Sequence, residues 1–120
     1  MGETSILKLI HVAVVATGAR IFRNNVGVLQ DRFGQYVAYG LCPGSSDLIG
    51  WTPLEITPEM VGKKLAVFTA IEVKTKEGRS TVEQDQFLKV VEAAGGIGFI
   101  ARSTEEALAK LKERSNALQK

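Results

Sequence analysis

Three residues have types and spacing that suit chemistry on a phosphate. Asp47 opens the short segment DLIGW, and Glu72 and Lys74 interrupt the long apolar run KLAVFTAIEVKT. Charged side chains in sheet-like apolar sequence are costly unless they are paired or bind a metal. Residues two apart on a strand share a face, so Glu72 and Lys74 lie on one side and Ile71 and Val73 on the other. If the DLIGW strand pairs with the longer one, Asp47 comes beside Glu72. Two carboxylates that close repel unless a cation lies between them. A divalent metal held there can bind a phosphate oxygen and activate a water. Lys74 would then neutralise charge developing on the phosphate or orient the attacking water. Phosphodiester hydrolysis is the reaction class that fits.

The rest of the composition narrows the metal. Cys42 and His11 are each the only residue of their kind, which rules out a Cys/His zinc cluster. A metal would be held mostly by oxygen, which favours magnesium or manganese. The formal net charge of +2 says little about nucleic acid. Location says more: Arg20, Arg23 and Arg32 come early, and Lys74, Lys76 and Arg79 surround the Glu-x-Lys pair. Taken alone, such clusters are also what a solvated surface looks like. The longest apolar stretch, HVAVVATGA, is too short to span a bilayer. No charged leader precedes an apolar segment and a cleavage site, and a single cysteine suits a reducing compartment. The expectation is a cytoplasmic protein with no membrane partner.

The elements that must position these residues are legible from periodicity and punctuation. The 120 residues are expected to form one domain spanning 1–120. ETSILKLIHVAVVATG reads as a helix with Leu7, Ile10 and Val14 on one face and Gly18 as its stop. ARIFRNNVG, GQYVAYGL and DLIGW read as strands, with CPGSS a turn before the last. TPEMVG is one helical turn. KLAVFTAIEVKT is expected to be the central strand, buried on both faces for most of its length. TVEQDQFLKVVEAAGG is a helix with Gln84, Phe87, Leu88 and Val91 on one face. IGFIAR follows as a strand, so strand–helix–strand suggests a parallel crossover. STEEALAKLKERSNALQK closes the chain as a helix with a Ser103–Glu106 capping box and Leu108, Leu111 and Leu118 on one side. The fold class is α/β with a mixed central sheet flanked by helices, in the order α-β-β-β-α-β-α.

Each candidate has a structural reading beside the chemical one. Glu72–Lys74 also reads as an exposed ion pair near a strand end, and Asp47 as a cap on the Pro-Gly-Ser-Ser turn. Gln84 also reads as the third residue of a capping box begun by Thr81, or as projecting toward the sheet. Glu3 would favour the N-terminal dipole of the first helix, and it lies on the side of Leu7, Ile10 and Val14. Gly44, Ser45 and Ser46 form a small-residue turn where a phosphate could approach the main chain. Trp51 and Cys42 read as packing residues, and His11 as a surface or interface residue.

Taken in order, Glu3, RIFRNNVG, YGLCPGSSDLIG, AIEVKTKEGRSTVEQDQFL and AAGGIGFIARS resemble the VRR-NUC family, the virus-type replication-repair nuclease branch of the PD-(D/E)xK superfamily. The resemblance runs from Glu3 to about Ala107. A lone D…ExK arises often by chance, whereas PGSSDLIG followed by EVKTKEGR and a helix with EQDQF is specific. The resemblance implies a restriction-endonuclease-like core and a metal-dependent deoxyribonuclease. Asp47 and Glu72 would be metal ligands, with the main-chain carbonyl of Val73 as a further ligand. Lys74 would be the catalytic lysine. Gln84 would support the site or a phosphate, and Glu3 would reach the metal directly or through water. Ser46 stands where the superfamily's name has proline, a departure usual in this branch. Arg23, Asn24 and Asn25 are candidate contacts to the DNA backbone, although Asn24-Asn25 also reads as a turn. Lys76 and Arg79 are candidates for phosphates beyond the site. Small stand-alone members of the family look like Holliday-junction resolvases, which implies a homodimer acting on branched DNA in a bacterial or phage-infected cell. A less selective endonuclease or nickase, or a DNA-binding module with an idle site, are the other readings.

Overall fold

The computed structural model describes residues 2–119. Among them the element order is α1 (Glu3–Ala16), β1 (Arg20–Arg23), β2 (Gly27–Gln30), β3 (Tyr36–Tyr39), β4 (Leu48–Trp51), a single 3-10 turn (Pro58–Met60), β5 (Thr69–Val73), α2 (Val82–Ala93), β6 (Ile97–Ala101) and α3 (Thr104–Leu118). Five strands therefore precede α2; the sequence reading picked out segments for four of them, although its element order counted three. The strand it missed is β2. GVLQ is short and polar at one end, and it follows the Asn-Asn that closes β1. The chain divides after Leu54 into two compact units.

In the first unit β1 and β4 pair antiparallel, from Arg20 opposite Trp51 to Arg23 opposite Leu48. β2 and β3 form an antiparallel hairpin, from Gly27 opposite Tyr39 to Gln30 opposite Tyr36. Gly50 has to be glycine, because a Cβ there would strike the backbone of Arg20 and Ile21. Phe22 and Trp51 pack ring on ring at 5.8 Å across this ladder, which bears out a packing role for Trp51. α1 turns Leu7, His11 and Val14 inward and leaves Ile10 exposed. His11 is a tie, not a surface residue: its Nε2 lies 2.9 Å from the carbonyl oxygen of Ile21. Cys42 is exposed and packs on nothing that would make it a core residue.

The second unit is built on a β5–α2–β6 crossover whose strands pair parallel, with Glu72 opposite Ile100. β6 is the buried strand. Ile97, Phe99 and Ala101 pack against Ala107 and Leu111 of α3. Leu88 and Val91 of α2 are buried, and Leu88 sits so close over Gly98 that a Cβ there would touch its main chain. The long apolar run is different from its expectation. Only Thr69–Val73 is strand, and Thr69, Ile71 and Val73 are exposed while Ala70 and Glu72 are half-buried. Hydrophobicity alone cannot tell a doubly covered strand from one covered on one face. On α3 the apolar contact comes from Ala107 and Leu111, with Leu108 and Leu118 exposed.

The single mixed sheet is also corrected: among the described residues the strands pair two by two, in three ladders. The ladder partner of β4 is β1, where the sequence reading aligned DLIGW with the Glu-x-Lys strand. β6 carries an open edge, and α3 covers it chemically. Lys110 Nζ donates to the Ile100 carbonyl at 2.7 Å and Arg114 Nη1 to the Gly98 carbonyl at 3.4 Å. Such side-chain caps blunt a strand edge that would otherwise template pairing with another chain. No helix among the described residues is long and apolar enough to cross a membrane.

Candidate functional site

Glu72 lies next to last in β5, on the half-covered face, and its carboxylate is held from two sides. Lys74 Nζ is 3.1 Å from Oε1, and Gln84 Nε2 donates to the same oxygen at 2.9 Å. The Lys74 and Glu72 side chains are 17% and 29% exposed, so this is a sheltered pair and not a solvated one at a strand end. Alternation along the strand explains it: Glu72 and Lys74 share a side, and the main chain of Lys74 is kept in line by its N–H donating to the Ala101 carbonyl at 3.1 Å. Both contacts to Glu72 fall on Oε1, which leaves Oε2 for another ligand.

Gln84 fulfils both roles that its position suggested. Thr81 is the N-cap of α2; its Oγ1 accepts from the Gln84 N–H at 3.1 Å, and Gln84 Oε1 accepts from the Thr81 N–H at 2.9 Å. The amide therefore spends its acceptor on the helix cap and its donor on Glu72. The cap fixes the side chain, and the fixed side chain fixes the carboxylate. Ser80 Oγ donates to Asp85 Oδ1 at 2.5 Å and closes the same helix start from the other side.

The turn that follows Lys74 is clamped by a residue that motif reading passed over. Arg102, just past β6, donates from Nη1 to the carbonyls of Thr75 and Gly78, at 2.8 and 2.6 Å. One guanidinium thus sets the path of the turn that carries Lys76 and Arg79, both of which are exposed. Arg102 ends IGFIAR, and a basic residue closing a buried strand one ladder away from Glu-x-Lys was the available signal. The α3 start is a half-box: Ser103 Oγ accepts from the Glu106 N–H at 3.1 Å, but Glu106 Oε2 accepts from the Arg102 N–H. Lys110, hydrogen-bonded to Glu106, holds that exposed carboxyl below its ordinary range.

In the first unit Asp47 is exposed at the start of β4, and its carbonyl accepts from the Asn24 N–H at 2.8 Å, one step beyond the β1–β4 ladder. Its carboxylate does not cap the preceding turn. Ser45 does that: its Oγ donates to the Cys42 carbonyl at 2.7 Å and accepts from the Cys42 N–H at 3.3 Å. Asn24 straps the turn down. Its Nδ2 donates to Ser45 Oγ at 2.7 Å and to the Ser46 carbonyl at 2.9 Å, and its Oδ1 accepts from the Leu41 N–H at 2.9 Å. The amide of Asn24 and the hydroxyl of Ser45 are thus committed to the fold of this loop, while Arg23, Asn25, Gly44 and Ser46 are exposed. Glu3 is exposed in the first turn of α1, where an acid favours the helix N-terminus.

Among the described residues no three His, Cys, Asp or Glu side chains come together as a ready-made cation cage. Magnesium does not require one. It keeps several waters and is commonly held by one or two carboxylates, and the donor set here, oxygen only, suits it and manganese. A half-sheltered carboxylate with one oxygen uncommitted, flanked by a lysine and a neutral amide donor, can hold a hard cation and handle charge on a phosphate.

The second unit is thus an α/β domain in which a parallel β-α-β unit sets a Glu-x-Lys pair against a helix glutamine. A family model described as the VRR-NUC domain matches residues 28–105, which is more than half of the chain. The chain belongs to the VRR-NUC family and carries a nuclease domain, with DNA as its substrate class. The matched segment runs from β2 into the start of α3 and takes in Asp47, Glu72, Lys74, Gln84 and Arg102. It begins after Glu3, Arg23, Asn24 and Asn25, so their roles gain nothing from the match. Neither the curated proteins nor the solved structures returned a match.

Proposed function

We propose that the chain is a metal-dependent, structure-specific DNA endonuclease that hydrolyses phosphodiester bonds in branched DNA as a homodimer. The observation that carries this reading is the Glu72 carboxylate held between Lys74 Nζ and Gln84 Nε2 inside the family segment. Glu72, with the Val73 carbonyl and waters, would hold magnesium or manganese; the family resemblance also gives Asp47 and Glu3 as ligand candidates. When bound, the ion supplies Lewis-acid stabilisation and a lowered water pKa. Gln84 keeps the Glu72 carboxylate aimed through its Nε2 hydrogen bond. Lys74 supplies positive charge where the phosphate gains negative charge. Arg23, Asn25, Lys76 and Arg79 are the proposed backbone contacts, with the main-chain N–H groups of Gly44 and Ser46 offered beside them.

The test is incubation of the purified protein with a labelled four-way junction and a matched linear duplex, with magnesium, manganese or EDTA, beside Lys74→Ala. Metal-dependent junction cutting that Lys74→Ala loses supports the proposal. Equal cutting of both DNAs keeps the site and removes the branch preference. A folded protein that cuts neither DNA with either metal would be a DNA-binding module with an idle site.

A further inference from the structure

The β2–β3 hairpin ends in a five-residue loop, Asp31–Gln35, that is unusually well tied for a surface turn. The Asp31 N–H donates to the Gln35 carbonyl at 2.7 Å, and the Gly34 N–H to the Asp31 carbonyl at 3.0 Å. Asp31 Oδ1 accepts from the Phe33 and Gln35 N–H groups at 2.8 and 2.9 Å, and Gln30 Nε2 donates to the Gly34 carbonyl at 3.0 Å. Gly34 sits at φ +80, which only glycine adopts freely, so the loop can close tightly behind Phe33. These bonds turn the one acid of the loop onto main-chain donors and leave Arg32 as the charge the tip presents.

What the loop holds up is a ring. Phe33 is 75% exposed, and the Arg32 guanidinium carbon lies 4.8 Å from its centroid. A large apolar ring fixed in water at a rigid tip, with a cation on one face, has the chemistry of a stacking platform for a nucleobase. The ring offers a π-face, and the guanidinium offers charge to the adjoining phosphate. Intact duplex keeps its base faces stacked and shows none to such a ring. Branch points and unpaired ends do show them.

We propose that the hairpin tip is a wedge that stacks Phe33 on an unpaired base at a DNA branch point, with Arg32 on the neighbouring phosphate. The proposal rests on the reading of the chain as a DNA nuclease and gives its branch preference a physical source outside the Glu72 site. Self-association through this ring is the competing use, and the Arg32 charge on its face works against it.

The experiment uses the full chain in EDTA with a four-way junction carrying 2-aminopurine at the branch and a matched duplex. Wild type should change the 2-aminopurine emission, and Phe33→Trp should keep the effect. Phe33→Ala should lose the emission change and bind the junction about tenfold more weakly, with duplex affinity within about twofold of wild type. Arg32→Ala should weaken junction binding and reduce its salt dependence. Junction binding by Phe33→Ala within about twofold of wild type overturns the wedge. So does a lower mass by light scattering for Phe33→Ala with junction binding retained, which would make the ring a contact between copies. Magnesium-dependent cutting is measured on the same wild-type preparation. Its absence alone sinks the nuclease reading and leaves the wedge to be judged by the binding arm.

Discussion

At the scale of single residues, the site turns on one amide that does two things. Gln84→Ala removes both its side-chain half of the α2 capping box, Oε1 on the Thr81 N–H, and the hydrogen bond to Glu72, so its effects on stability and activity are entangled. Gln84→Glu separates them. Glutamate still suits the N3 position of a capping box, but it replaces the donor to Glu72 with a second carboxylate. The donor that aims Glu72 is then gone while the cap remains. Thermal melts of Gln84→Glu should stay close to wild type while cutting falls. Unchanged cutting by Gln84→Glu would show that the hydrogen bond to Glu72 does not limit the reaction. Thr81→Ala, which takes only the cap, should cost about 1 kcal/mol in a denaturant titration. Lys74→Ala should lower cutting by at least about a hundredfold yet leave manganese binding intact in calorimetry, because the ammonium is not among the proposed ligands. Normal cutting by Lys74→Ala would discard the mechanism.

At the scale of elements, the β1–β4 ladder of the first unit and the turn after β5 of the second each carry proposed DNA contacts. Gly50→Val should break the β1–β4 ladder, since the backbone of Arg20 and Ile21 fills the space of a Cβ. Hydrogen exchange should then rise at Asn24, whose N–H depends on Asp47. Arg102→Ala should free the Thr75–Gly78 turn, with trypsin cutting sooner at Lys76 and Arg79. Loss of two hydrogen bonds from a charged donor at an exposed site should cost about 1 kcal/mol. Both bonds come from the single Nη1, so Arg102→Lys, whose ammonium carries three donors on one nitrogen, should restore protection if it reaches both carbonyls. Unchanged proteolysis in Arg102→Ala would mean that the turn holds its path without the clamp. The start of α3 responds to acid in a defined direction. The Glu106 carboxyl is lowered in the folded chain by Lys110, so its contribution is present above the ordinary glutamate range. That contribution is lost as the pH falls through the lowered folded value, and Glu106→Gln should flatten that part of the melting curve.

At the scale of the whole molecule, the proposed metal and partner copy would act through linkage. An ion that binds only the folded chain stabilises it by about 2.7 kcal/mol at a hundred times its dissociation constant. The melting temperature should therefore rise with manganese in wild type and remain flat in Glu72→Gln. A rise in both would place the ion away from Glu72. Light scattering at micromolar concentration should give the mass of a dimer, the state in which two sites on a two-fold axis face two similar strands. A monomer of 13.0 kDa would count against the branched-DNA reading.

The sequence by itself determined the local features. The starts of α2 and α3 followed from Thr81 and Ser103, and the stop of α1 from Gly18. The shared face of Glu72 and Lys74 followed from strand alternation, and the parallel crossover from strand–helix–strand order. All of these depend on neighbours a few residues apart, where backbone geometry is decided by short-range sterics and hydrogen bonds. The tertiary structure decided what depends on distant partners. It paired β4 with β1, gave the buried-strand role to β6, and added β2 through a hairpin whose pairing no periodicity announced. It also joined Asn24 to Ser45 and Arg102 to Thr75 and Gly78, across stretches of chain with no regular spacing. Hydrophobicity shows that a residue prefers cover, but only the packed fold shows what covers it. For Gln84 the two levels agreed. Its capping role was written three residues away in Thr81, and its hold on Glu72 was decided only when α2 packed beside β5.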